Sequence, residues 1–222
     1  MTFNSLGSSF VSFSQVVKPL FIQNKNEYVR ELENYLENKY QGKVKLLYKG
    51  REALELALQL AALPQGAAVA INGFTCYAVY QAIVEQGLVV EYLDIDKTSL
   101  DFSVQTLQKA IKRNPKIKAV IVQNSLGFPA QVPEIKTVCE QHDLVLIEDL
   151  AHSVGTVYAN GQEAGSVGDF VVLSFSQDKV IDSVAGGALI VRRQNFLSSL
   201  PSLPTLPTQQ LPLAAQLKDR FH

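Results

Sequence analysis

Apolar positions along the chain change period several times, and each change marks an element. Residues 27–40 (EYVRELENYLENKY) place Val29, Leu32, Leu36 and Tyr40 at helical spacing with charges between them, which predicts an amphipathic surface helix. Residues 51–63 (REALELALQLAAL) follow Gly50, are apolar on nearly every side and stop at Pro64, so they predict a buried helix. Short runs rich in Val, Ile, Leu and Ala then alternate with helical stretches. The runs are residues 67–71, 88–93, 117–122 and 144–147, with helices expected at 79–86, 104–113 and 132–141. Continuous apolar strands joined by helices need cover on both faces of their sheet, so the fold class is α/β with a mostly parallel sheet. Two further runs, 170–174 and 188–191, are joined by a Gly-containing connection without a long helix, and one of them is expected to run antiparallel.

The two ends read differently from this body. Residues 1–26 form a polar leader, with no basic start and apolar stretch of the kind a secretory signal has. Residues 196–222 carry Pro201, Pro204, Pro207 and Pro212 among few charges and read as a tail, with room for one short helix at 214–222. One domain over residues 27–195 is therefore expected in a chain of 222 residues. Its 47% of apolar residues exclude disorder over most of the length, and its net charge of −1 gives no field that would steer it toward nucleic acid. No run approaches the roughly 18 apolar residues of a membrane span. Cys76 and Cys139 lie far apart, outside any CxxC or Cys/His spacing, which reads as two thiols in a reducing cytoplasm and gives no metal site.

In an open parallel sheet, ligands bind beyond the carboxyl ends of the strands. Three such places carry chemistry here: Glu148 and Asp149 followed by Leu150, Ala151, His152 and Gly155; Ser174, Phe175 and Lys179 followed by Gly186 and Gly187; and Gly50 to Leu54 at the mouth of the buried helix. On residue type alone, Asp149 also reads as a helix cap and Lys179 as a solvated charge. With the segment Gly165-Ser166-Val167-Gly168-Asp169, these motifs in this order resemble the DegT/DnrJ/EryC1/StrS family of fold-type-I, pyridoxal-phosphate-dependent sugar aminotransferases over about residues 48–191.

The resemblance implies an aspartate aminotransferase-like large domain, without the C-terminal small domain that the family carries after it. Its cofactor is then pyridoxal phosphate, whose ring stores an electron pair best with its nitrogen protonated. By resemblance, Asp149 is the carboxylate that holds that proton and Lys179 the amine that attaches the cofactor and shuttles a proton, these two being the catalytic pair. Gly50 with the amides of Arg51 and Glu52, together with Ser174, would receive the phosphate at a helix N-terminus. His152 would approach the phenolic oxygen or flank the ring, Asn124 could also reach that oxygen, and the cover over the ring falls to Cys76 or Tyr77.

The implied reaction moves an amino group, with glutamate as donor, to a keto sugar on a nucleotide, in polysaccharide biosynthesis. A homodimer, or association with a complementary C-terminal chain, would complete the site. The other reading from the same residues is a remnant that binds cofactor weakly or not at all and serves as a partner subunit. A nicotinamide enzyme finds no support, because no GxGxxG follows a strand.

Overall fold

A computed structural model of the chain describes residues 25–96, 100–176, 179–181, 183 and 185–198. The leader before residue 25, the tail after residue 198 and the helix expected at 214–222 lie outside the described residues. In chain order the elements are α1 (Lys25–Tyr40), β1 (Lys43–Leu47), α2 (Gly50–Ala61), β2 (Ala68–Asn72), α3 (Tyr77–Glu85), β3 (Val89–Leu93), α4 (Val104–Arg113), β4 (Ile117–Val122), α5 (Val132–Gln141), β5 (Val145–Asp149), β6 (Phe170–Ser174), β7 (Gly187–Val191) and the single turn α6 (Gln194–Leu197).

The seven strands form one sheet in the order β1-β7-β6-β5-β4-β2-β3. Pairs from β3 through β2, β4 and β5 to β6 are parallel, while β7 is antiparallel to both β6 and β1. The antiparallel member of the last two apolar runs is therefore β7. Strand β1 was not foreseen. Its sequence KVKLL alternates charge with apolar residues, and at the sheet's edge it needs to bury only part of each face, so it reads as a connection. Lysines on an exposed edge also discourage pairing with a further strand.

Side chains on a strand alternate between faces, and here the two faces pack against two separate cores. Ala70, Val120, Leu146, Val171 and Ile190 point into one core, which α1, α4 and α5 close with Leu36, Tyr40, Leu107, Ile135 and Cys139. Val69, Ile121, Ile147, Val172 and Leu189 point into the other, closed by α2 and α3 with Leu54, Leu58, Val79 and Ile83. Strands β2, β4, β5, β6 and β7 are buried almost throughout, which is why their sequences run apolar at nearly every position.

Helix α2 ends where Ala62 turns left-handed at φ 48°, its amide returning to the Gln59 carbonyl at 3.1 Å, ahead of Pro64. Its other end is wedged against the sheet. A Cβ on Gly187 would lie 2.5 Å from the Lys49 carbonyl carbon and 2.6 Å from the Gly50 nitrogen, and one on Gly50 would lie 2.8 Å from the Ser174 Cβ. Backbone cannot yield as a side chain tip can. Gly187→Ala is expected to destabilise the fold by about 1–3 kcal/mol, the usual cost of overpacking, read as a lower melting temperature or urea midpoint with an unchanged m-value.

Candidate active site

Alternation along β5 decides where its two consecutive acids go. Asp149 follows the parity of Val145 and Ile147 and faces the side of α2 and α3; Glu148 follows Leu146 to the opposite face. Asp149 borders a cleft of about 420 Å³ at the carboxyl ends of the central strands, which Gly50, Arg51, Cys76, Gln123, His152, Ser174, Ser176 and Lys179 also line. This is the crevice that a sheet of this kind offers beside its switch in strand order, between β2 and β4.

Glu148 is wholly buried and enclosed by donors. Its carboxylate accepts from the amides of Gly165 at 2.7 Å and Val167 at 2.9 Å, from the Gly168 amide, and from the Tyr158 hydroxyl. The Gly165–Asp169 motif thus wraps a carboxylate and carries the chain from β5 to β6. Asp169 fastens the far end, accepting from the Leu146 amide at 2.9 Å and pairing with Lys136 at 2.7 Å. Two parts of the sequence motif are therefore structural and support the cleft from behind.

Asp149 is 5% exposed. Its Oδ1 accepts from the Ala151 amide at 3.0 Å and its Oδ2 from the Gln123 side-chain amide at 3.2 Å. Burial pushes its carboxyl above the usual carboxylate range, against the pull of those two hydrogen bonds and of the charges on His152 and Lys179. Lys179, in the loop after β6, brings its Nζ to 3.1 Å from the Nε2 of His152, in the turn after β5. An amine, an imidazole and a buried carboxylate thus meet in one cleft, although the lysine comes thirty positions after the aspartate.

Facing them is the start of α2, a helix of 12 residues whose first amides have no intrahelical acceptor. The Glu52 carboxylate turns back to accept from the amides of Tyr48 at 2.9 Å and Lys49 at 3.3 Å, which takes its charge away from the cleft, and Glu52, expected among the phosphate donors, is not part of the cleft lining. Ser174, last in β6, shares a hydrogen bond of 3.1 Å with Ser176. Amides and two hydroxyls therefore gather where an anion would sit, with Arg51 also on the cleft lining.

Two further expected residues stand elsewhere. Tyr77 opens α3 with 70% of its surface exposed and packs its ring toward Tyr80, with centroids 5.5 Å apart; of the pair proposed to cover a ring, Cys76 lines the cleft. Asn124 is fully buried with φ 51°, donates to the Tyr158 hydroxyl at 3.1 Å and accepts from the Ala130 amide at 2.9 Å, so its side chain is committed to the opposite face. Gln123 takes its place on the cleft. Counting in twos from Ala119 and Ile121 would have found it, since that parity faces α2 and α3. Ser176 was missed because hydroxyls are common in loops and nothing in its spacing marks it.

Residues 12–202 match the DegT/DnrJ/EryC1/StrS aminotransferase family, and the chain belongs to it. It is 34% identical to GDP-perosamine synthase of Vibrio cholerae over 141 residues, which are 64% of this chain and 38% of that protein. Among solved structures, GDP-4-keto-6-deoxymannose-3-dehydratase with bound GDP-perosamine superposes with a TM-score of 0.77 at 22% identity, covering 93% of this chain and 56% of that one. A Bacillus subtilis protein with bound pyridoxamine phosphate superposes with a TM-score of 0.72 at 19% identity, over 82% of this chain and 42% of that one. The chain spans well under two thirds of the length of these relatives. The fold is accordingly the large domain of a fold-type-I transferase, and pyridoxal phosphate is the cofactor indicated by the family.

The donor set fits that cofactor. The approach of Gly50 to Ser174 leaves no room for a Cβ and sets helix amides beside hydroxyls for a phosphate; the buried acid and the amine suit a ring nitrogen and an aldehyde. Among the described residues no cluster of His, Cys, Asp and Glu is arranged to hold a metal ion.

The raised carboxyl has a consequence for stability. A group whose folded pKa lies above its unfolded value of about 3.9 favours the native state below that value and loses the contribution as pH rises through the folded one. The cofactor-free protein should therefore weaken from acid toward neutral pH through Asp149. Asp149→Asn is expected to raise its melting temperature at neutral pH and to give no gain near pH 4, as followed by thermal scans across pH.

Proposed function

We propose that this chain is the cofactor-binding large domain of an aminotransferase that moves an amino group, from glutamate, to a keto sugar carried on a nucleotide. What carries the reading is the convergence of Asp149 and Lys179 on one cleft, in a chain of this family. Relatives named for GDP-perosamine and for UDP-N-acetyl-3-dehydro-alpha-D-glucosamine support the substrate class, and with it a role in polysaccharide biosynthesis. When bound, pyridoxal phosphate supplies a ring that accepts an electron pair and an aldehyde that an amine captures.

The chain's own residues divide the remaining work. Asp149 keeps a negative charge in a dry site, where it holds a proton on a ring nitrogen more firmly than it would in water. Lys179 must lose a proton from Nζ before it can attack a carbonyl carbon, and the same nitrogen then moves a proton at the substrate's Cα. His152, within hydrogen-bond reach of that nitrogen, orients it and is placed to reach a phenolic oxygen. The amides at the start of α2, Ser174 and Ser176 hold the phosphate, with Arg51 adding charge. Cys76, on the cleft lining, would border the ring in the place of the family's cover.

A second copy of the chain, or a complementary chain, completes the site in this reading. The exposed apolar side chains of Phe74, Tyr77, Leu126 and Phe128 near the mouth of the cleft support such a partner. A cytoplasmic location fits two free thiols, Cys76 and Cys139.

The purified protein mixed with pyridoxal phosphate should develop a violet absorption band. Borohydride reduction should fix the cofactor on Lys179, as seen by peptide mass spectrometry. Lys179→Ala should lose both signals, and identical spectra for the two proteins would exclude a lysine-bound cofactor. Glutamate should then bleach the band and release 2-oxoglutarate. A stable band without 2-oxoglutarate would favour the other reading, a cofactor-binding partner subunit without activity of its own.

A further inference from the structure

We infer that Gln123 is a positioning residue that aims the Asp149 carboxylate into the cleft through a neutral hydrogen bond. The inference rests on the reading of the cleft as a cofactor site and adds to it a residue acting through another.

Asp149 has two held oxygens. The Ala151 amide at Oδ1 belongs to the strand's own exit and comes with the backbone, whereas the Gln123 amide at Oδ2 is a side-chain choice. Gln123 is itself clamped from both sides. Its backbone amide donates to the Asp101 carboxylate at 3.1 Å, and its carbonyl accepts from the Ser153 hydroxyl at 3.0 Å. Asp101 and Ser153 are 0% and 1% exposed, and Asp101 is further tied to the Phe102 amide at 2.9 Å. A side chain growing from so fixed a backbone reaches Asp149 from one direction.

The neutrality of the donor matters. Charged groups face Asp149 from several elements: His152 from the turn after β5, Lys179 from the loop after β6 and Arg51 from α2, while Glu148 points to the other face and Asp101 lies behind Gln123. An arginine or lysine in place of Gln123 would pair with the carboxylate and cancel the charge that a ring nitrogen needs. An amide orients the group and leaves that charge available. It also draws the Asp149 carboxyl down against the opposing effect of burial.

The test is a double-mutant cycle read by cofactor binding and, separately, by the stability of the cofactor-free protein. Gln123→Met keeps the length of the side chain and removes the donor; Gln123→Leu carries the same cycle if that variant does not fold. Loss of a hydrogen bond to a charged group should weaken pyridoxal phosphate binding about tenfold. In an Asp149→Asn background the same substitution should change binding by less than about twofold, because the partner charge is gone. Equal losses in both backgrounds, or none in either, overturn the inference. Without cofactor, Gln123→Met should lower the melting temperature more above the titration of Asp149 than below it in scans across pH, and Asp149→Asn should erase that difference. Parallel curves against wild type also overturn it. A wild-type chain that takes up no pyridoxal phosphate fails the cofactor reading instead, and the stability curves then decide Gln123 alone.

Discussion

The cleft depends on how β5 disposes of two adjacent carboxylates inside a sheet that is buried on both faces. A buried charge is costly unless its hydrogen-bonding capacity is filled, and the two acids meet that demand in opposite ways. Glu148 is saturated by three backbone amides and a tyrosine hydroxyl, so it behaves as part of the scaffold. Among the described residues Asp149 has two donors, one on each oxygen. Adjacent positions thus hold one carboxylate enclosed by the scaffold and one that borders the cleft.

Much of this was legible beforehand, and for a physical reason. Strands buried on two faces must be apolar at almost every position, so β2, β4, β5 and β6 announce themselves, and the polar residues that end them mark the crevice. Asp149, His152, Ser174, Lys179 and Gly50 were found in this way and by their shared order, and all border the cleft. What escaped was of two kinds. Strand β1 lies at an edge, where half-burial permits lysines and blurs the pattern. The exchange of Asn124 for Gln123 is a matter of register: a family position points to one residue, and strand parity, followed by a left-handed turn at Asn124, brings the neighbour forward.

The comparisons and the geometry bear on different questions. Matching over residues 12–202 establishes the family, and the superpositions at about one fifth identity establish the shape. Neither says which side chain does what. The proposed residue roles rest on the distances around Asp149 and Lys179, and on the glycine whose missing side chain lets α2 come close to β6.

That close approach also sets an order of events. The start of α2 leans on Ser174 and on the backbone beside Gly187, elements far later in the chain. Contacts between such distant segments close large loops and form late. On the ribosome, the early helix must wait, its amide end unsupported, until the final antiparallel strand has emerged. A nascent chain stopped before β7 would contain most of the sheet and the residues around the start of α2, but not the strand backbone beside Gly187 against which that helix end packs.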